Sequence, residues 1–553
     1  MPDIPESGPV EMEASKSGQI VPLDFVAVAP LPTVDTSTIP IDPAPCAPIH
    51  QSSSLPFWYP HWRGKPLYHG NEEGLAWAFD GTGRAVPFIY AGAFFGTAIL
   101  YLAREAAGCA TEIPEGQTKL PDCNKTVYGI RPSSYLTTYT MIIGVSSTFL
   151  LPLMGAIIDH TRHRLLVGRI ATACFLFCTF PQIFLSVHNW FIMAVFQIMA
   201  SICGWAQTAI SYAYLPELTS DEIVLADYTK SFTMAFFSAM ALYLAITIGV
   251  VTVIGYGHDS VMTSRVGAVI ALIVAIPLLT TAWGRLFKHR NALQELHSHQ
   301  SVWTAGFIQL YHTIVKIFKH HRALKWFYLS IAASDAGIQA LATIAVTYLT
   351  EKLGFTATQN GIAILLMLLG SVPGAIASNV TIRKLDPRQS SILALLYLII
   401  ITSIFAATVR GPGQQMETYL LCFFWGLGVG WKWTTDRMMA SSIIPEGQDA
   451  ELMGFFLFSG QSFSWVPPLV FTAINESGIS EQVGVASLDT YFIISIACCI
   501  MMGSYAQARQ EVNRESRFVR KENDSNLAVE EAHPLESGET TVLTSEATEQ
   551  TKN

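Results

Sequence analysis

The sequence predicts an all-α membrane protein: twelve transmembrane helices in two six-helix bundles, with disordered tails. Three observations predict it. There are twelve apolar stretches, each about 20 residues or slightly longer, enough at 1.5 Å rise per residue to cross a hydrocarbon core of about 30 Å. A charged connector, from about Arg285 to Arg322, divides them six and six. Across 553 residues, 51% are hydrophobic and only 14% charged, too apolar for a soluble globular chain.

Residues 1–62 are crowded with Pro and Ser, as in Pro40-Ile-Asp-Pro43-Ala-Pro45, and have no apolar period to bury; they read as a disordered tail. The first bundle, 63–283, holds spans at 85–104, 134–157, 165–187, 190–215, 231–255 and 262–283. Because the first apolar run begins near Val86, no cleavable signal is expected, and the first span acts as the targeting signal. In the connector, 284–323, one helical stripe carries Trp303, Phe307, Leu310, Ile314, Ile317 and Phe318, with Lys316, Lys319, His320, His321 and Arg322 toward its end. That length and mixed polarity suit an interfacial helix tethering the two halves. The second bundle, 324–506, holds spans at 324–350, 358–382, 390–409, 416–438, 452–474 and 488–506, and 507–553 is a second tail. Acidic residues cluster in the tails, notably Glu530, Glu531, Glu536, Glu539, Glu546 and Glu549, so the net charge of −9 reads as tail solvation, and no nucleic-acid partner is expected.

The nine cysteines show no metal or redox spacing, and Cys174, Cys178, Cys203, Cys498 and Cys499 fall inside apolar runs as packing residues; no metal or cofactor is expected. There is no Gly-x-x-x-x-Gly-Lys loop, which argues against an ATP-driven pump, and nothing suggests an enzyme.

Orientation follows from basic residues in the short loops. With the N-terminus in the cytosol, the inner side receives Arg162, Arg164, Arg285, Lys288, Arg290, Lys316, Lys319, Arg383, Lys384 and Arg388, and the outer side few, such as Arg104, Lys125 and Arg131. Both termini are then cytosolic. The first outer loop agrees: it carries the glycosylation sequon Asn124-Lys125-Thr126, and Cys109 and Cys123, which an oxidising lumen could join. A second sequon, at Asn475, also falls outside.

Gly155-Ala-Ile-Ile-Asp159-His-Thr-Arg162-His-Arg164 ends the second span. It resembles the signature loop of the major facilitator superfamily. The resemblance implies that Gly155 lets two helices approach closely and that Asp159 faces the start of span eleven, latching the cytosolic side. Glu446 and Asp449 are the expected partners for Arg162 or Arg164, with Arg437 nearby at the inner end of span ten. The corresponding turn of the second half, Thr381 to Arg388, keeps the basic charge without the Gly-to-Asp spacing, consistent with duplicated halves.

Three further stretches narrow the resemblance: Ala213-Tyr-Leu-Pro216-Glu217-Leu218, Ser334-Asp335-Ala336-Gly337, and Ile444-Pro445-Glu446-Gly447-Gln-Asp449 running on through Gly460, Ser464-Trp465 and Pro468-Leu469. Together they look like the autophagy-related vacuolar effluxer family. Departures include Ala336 between Asp335 and Gly337, a fifth span nearly free of Gly, and Pro467 where Gly is usual. The resemblance implies amino acid export from the vacuole or lysosome to the cytosol after autophagic breakdown.

Charges inside spans are costly enough to count as functional candidates. Asp335, in span seven, and Lys432, in span ten beside Trp433, could form a clamp, Asp335 facing a substrate ammonium and Lys432 a carboxylate; Asp335 could instead take up a proton and couple transport to lumenal acidity. Equally, Lys432 could snorkel to the interface and Asp335 bond a neighbouring helix. Gln339, one turn beyond Asp335, and Gln207 and Tyr212 in span four complete the candidate lining. Three functions remain open: an alternating-access amino acid transporter in the vacuolar or lysosomal membrane, a plasma-membrane or other facilitator for a sugar, drug or metabolite, and a receptor or scaffold that no longer transports.

Overall fold

The computed structural model describes residues 59–62, 65–111, 120–121, 123–215, 218, 222–290, 301–411, 413–444, 449–510 and 512. The expectations for the tails, the Pro216-Glu217 pair and Glu446 lie outside the described residues.

The first half is built from α1 (Glu72–Ala106), α2 (Pro132–His160), α3 (Arg164–Phe184), α4 (Trp190–Ala213), α5 (Glu222–Ile254) and α6 (Ser260–Leu286). Helix α1 starts well before the predicted 85, capped by Asn71, whose Oδ1 accepts from the Glu73 and Gly74 amides at 2.9 and 3.2 Å. Polar residues hid this turn-rich beginning from the apolar count; within the helix, Asp80 and Arg84 neutralise each other. Beyond Tyr90, one π-helical segment, Ala91–Phe95, carries the axis on to Ala106.

A connector helix, α7 (Val302–His320), precedes α8 (Arg322–Leu353), α9 (Ala357–Lys384), α10 (Pro387–Thr408), α11 (Gln415–Ile443), α12 (Asp449–Ser462), α13 (Val466–Glu476) and α14 (Glu481–Met501). Among the described residues, ten helices are long and apolar enough to cross a membrane: α1 to α6, α8, α9, α10 and α14. The other two predicted spans differ for physical reasons. Helix α11 is long, but its tryptophans, glycines and charges at Lys432, Asp436 and Arg437 depress its hydropathy. The eleventh span is split into α12 and α13 around Phe463-Ser464-Trp465, and α13 opens with Pro467 and Pro468, where a missing N–H breaks no helical bond.

Each half has its own core. Phe94, Phe95, Leu100, Leu136, Tyr243 and Ala271 are buried together in the first, and Leu341, Tyr348, Leu395, Phe405, Trp425 and Phe492 in the second. Helices α9 and α11 meet backbone to backbone. A Cβ at Gly370 or Gly374 would collide with the carbonyls of Phe423 or Leu427, and one at Gly426 or Gly430 with those of Met367 or Ser371.

Helix α7 is more deeply seated than an interfacial tether. Its Gly306 abuts the Pro152 carbonyl of α2, while Ile317 packs with Leu324, Phe327 and Ile331 of α8. The predicted stripe therefore divides: Leu310, Ile314 and Ile317 turn inward, whereas Trp303, Phe307 and Phe318 stay exposed.

The two halves are joined at the end that carries the loop closed by the Cys109–Cys123 disulfide. There the buried Arg104 of α1 pairs with Glu351 of α8, and Asn360 Nδ2 of α9 donates to Thr97 Oγ1 at 2.9 Å. Asn475 Nδ2 of α13 donates to the hydroxyls of Ser133 and Ser134 at 2.6 and 2.8 Å, and the Arg131 amide donates to Glu476 Oε1 at 3.1 Å. Arg104 also reaches the disulfide loop, giving Nε to the Ala110 carbonyl at 3.0 Å and Nη2 to that of Pro121 at 2.7 Å.

Candidate functional site

Asp335, Gln339 and Trp433 converge on one point of α12. Trp433 Nε1 donates to Asp335 Oδ1 at 3.3 Å, and Gln339 Nε2 donates to the Gly460 carbonyl at 3.1 Å. The space is set by Gly460, at which a Cβ would come within 2.6 Å of Asp335 Oδ2. Asp335 is half-buried, and among the described residues it makes no salt bridge, although Lys432 and Arg437 lie near enough to act on its charge. A carboxylate at this depth with one neutral donor favours a cation or a proton beside it.

Lys432 does not reach this cluster. Its ammonium is fully buried and pairs with Asp436 one turn on, where Ser391 Oγ donates to Asp436 Oδ1 at 3.4 Å. Both alternatives for Lys432, clamp partner of Asp335 and snorkelling residue, give way to an ion pair inside the second bundle. The lysine stem runs into the bundle because the neighbouring turn supplies a countercharge there, so the head need not seek water. Arg437, the next residue along α11, is exposed.

The first half holds a second internal pair, Asp80 and Arg84 of α1. Asp80 Oδ1 accepts from Gln207 Nε2 at 2.5 Å and from Trp283 Nε1 at 2.7 Å; Oδ2 accepts from Arg84 Nε at 3.1 Å and Nη2 at 2.8 Å. Arg84 Nη1 also donates to Thr208 of α4. Gln207 is thus committed to Asp80, and Tyr212 stands edge-on to Trp77, centroids 6.0 Å apart. Neither Asp80 nor Arg84 was singled out from the sequence, because the predicted first span began after them. The usable signal was their four-residue spacing at the head of an apolar run, which places both on one helical face.

The loop after α2 departs from what its resemblance implies. A Cβ at Gly155 would meet nothing within 4 Å; the close approaches on α2 are at Gly144, where a Cβ would lie 2.9 Å from Trp465 Cβ, and at Pro152, against Gly306. The reason is the connector: α7 occupies the flank of α2, and its own glycine supplies the clearance. Arg164 is buried, its guanidinium 4.6 Å over the Tyr214 ring and Nη1 3.4 Å from the Ala213 carbonyl, so it braces α3 against the end of α4. Asp159 is half-buried and Arg162 exposed. Asp449 begins α12, and Glu446 lies outside the described residues.

The two sequons differ sharply. Asn124 is exposed beside the disulfide, whereas Asn475 is 5% exposed and spends its amide on Ser133 and Ser134.

Comparison with solved structures finds the same overall fold in several transporters. A variant of the nucleoside transporter NupG superposes with a TM-score of 0.52 at 15% identity, covering 78% of this chain and all of that one. A D-xylose-proton symporter gives 0.52 at 12% identity over 78% and 97%. The peptide transporter POT in complex with sulfate gives 0.52 at 10% identity over 81% and 97%. At these identities the likeness establishes the fold. A comparison with curated proteins finds no match. The family model described as "Vacuole effluxer Atg22 like" matches residues 70–513, nearly the whole helical region, and the chain therefore belongs to the Atg22-like vacuole effluxer family.

Proposed function

We propose that this secondary transporter exports amino acids from the vacuole or lysosome to the cytosol by alternating access, with Asp335 as the group that receives the substrate ammonium or a coupling proton. The observation that carries the reading is a half-buried carboxylate, making no salt bridge among the described residues, at the centre of a chain that belongs to a vacuole effluxer family. Gln339, Trp433 and Gly460 shape its surroundings. In this reading the disulfide end is lumenal and joined shut, and the basic connector end is cytosolic. Alternating access then requires the contacts between α1 or α2 and α8, α9 or α13 to break while the halves stay tethered by α7.

The test is release of loaded neutral amino acids from vesicles reconstituted with the purified chain, with sugars and nucleosides run in parallel. Asp335→Asn should abolish release or make it insensitive to a pH gradient. Unchanged flux in that variant removes Asp335 from the mechanism, and release of a sugar or nucleoside alone replaces the substrate class. A tagged chain should mark the vacuolar or lysosomal membrane.

A further inference from the structure

An ammonium site at Asp335 needs a matching site for the carboxylate of the same amino acid, and Lys432, locked to Asp436, cannot supply it. We infer that Arg84 of α1 binds the substrate carboxylate, with Asp80 as its positioning residue; this rests on the amino acid reading above.

Position supports the assignment. Helices α1 and α8 are the first helices of their halves and both start at the connector end. Arg84 lies 12 residues past Glu72 and Asp335 13 past Arg322, so by helical rise they sit at nearly equal depth, about 18 and 20 Å. A zwitterion lying across the boundary between the bundles would meet one charge from each.

Exposure supports it as well. Helix α1 is the most buried of the candidate spans, with little surface left for lipid. Arg84 is buried there, with its side chain 10% exposed, while Phe88, one turn on, is 61% exposed and Gly92 lies next to empty space. The bond from Arg84 Nη1 to Thr208 turns this part of α1 toward α4. Across from it on α4, Thr208 and Tyr212 are half-buried. Lys432, at similar depth in the other half, has no exposed surface.

The guanidinium is built for the task. Among the described residues three of its N–H groups are used, on Asp80 and Thr208; a guanidinium has five, so one on each terminal nitrogen remains to meet a carboxylate. Asp80 would compete for that charge if it were free to turn. It is not, because Gln207 and Trp283 hold Oδ1, and two neutral donors disperse its charge away from Arg84. Asp80 therefore fixes the plane of the guanidinium, which lowers the entropy lost when a carboxylate docks.

The experiment uses the full chain and two ligands, a neutral α-amino acid and its carboxamide, which keeps the ammonium but lacks the carboxylate. The main variant is Asp80→Asn with Arg84→Gln, which removes both charges together and leaves an acceptor for Gln207 and Trp283. Wild type should bind the amino acid at least tenfold more tightly than the carboxamide. The double variant should lose that preference, its carboxamide affinity staying within about twofold of wild type. Thr208→Val, which releases Nη1 and keeps both charges, should weaken the amino acid several-fold and leave the carboxamide unchanged; it decides the matter if the double variant does not fold. Retained preference in these variants, or an equal loss for both ligands, overturns the role of Arg84 alone. A wild type that binds no amino acid overturns the transport reading and this inference with it.

Discussion

Replacing Glu351 with Gln should unlock the disulfide end. The carboxylate of Glu351 and the guanidinium of Arg104 join the two halves with side chains only 5% and 3% exposed. Removing one member of a buried ion pair outright costs roughly 3–5 kcal/mol, because the survivor stays charged and desolvated. Gln keeps the shape and an acceptor, and Arg104 keeps the Ala110 and Pro121 carbonyls, so the loss should be nearer the ~1.5–3 kcal/mol of a hydrogen bond to a charged group. Only the joined state contains this contact, so the loss falls on that state. At about 1.4 kcal/mol per tenfold, the ratio of joined to separated forms should drop by ~10- to 150-fold. Glu476→Gln is the internal comparison, because it leaves the bond from Arg131 Nη1 to the Asn475 carbonyl at 2.9 Å in place and keeps an acceptor for the Arg131 amide. The Arg131–Glu476 pair is 23% and 35% exposed, with a separation of 3.8 Å, so the ion pair is worth under ~1 kcal/mol and its loss should shift the ratio less than about fivefold. Spin labels at Val253→Cys and Met416→Cys, exposed near the disulfide-end termini of α5 and α11, report the separation once the unpaired native cysteines are replaced. Pulsed dipolar distances in Glu351→Gln should gain a long component. If that variant matches wild type while Glu476→Gln opens the end, the weight placed on burial is wrong.

Two further outcomes follow from the same geometry. Lys432→Met strands Asp436 in the second bundle and should cost roughly 3–5 kcal/mol, while adding Asp436→Leu should recover most of it; thermal melting of the two variants checks this, and equal melting temperatures would refute it. The chain should carry a glycan at Asn124 and none at Asn475, whose amide is buried against Ser133 and Ser134. Asn124→Gln should therefore remove the whole mobility shift on deglycosylation, and a residual shift would show that the joint opens before the glycan is added.

Much of the architecture was legible because lipid imposes a simple rule: a segment that crosses must be long and apolar. Ten spans obey it. The rule fails where the bundle interior, not lipid, is the solvent. It placed the start of α1 too late because Asp80 and Arg84 are polar to a hydropathy count yet neutral as a pair. The Gly-x-x-x-Gly spacings at Gly370 and Gly426 were readable signs of close helix packing, but not of which helices meet. Asp335 was found because a lone charge in a span stands out. Its neighbours were found only in part: Gln339 lies one turn on along the same helical face, whereas Trp433 and Gly460 belong to two other helices far along the chain.

The sequence by itself determined the class, the number of apolar segments and the residues whose charge is costly in a membrane, since these depend on composition along one dimension. Only the tertiary structure decided which charges cancel. Lys432 and Asp335 are both site candidates on paper, but a turn of helix gives Lys432 a partner at Asp436, and helix packing leaves Asp335 beside Gly460 with, among the described residues, one donor at Trp433. Pairing depends on distances of a few ångströms between helices, and no linear pattern records those.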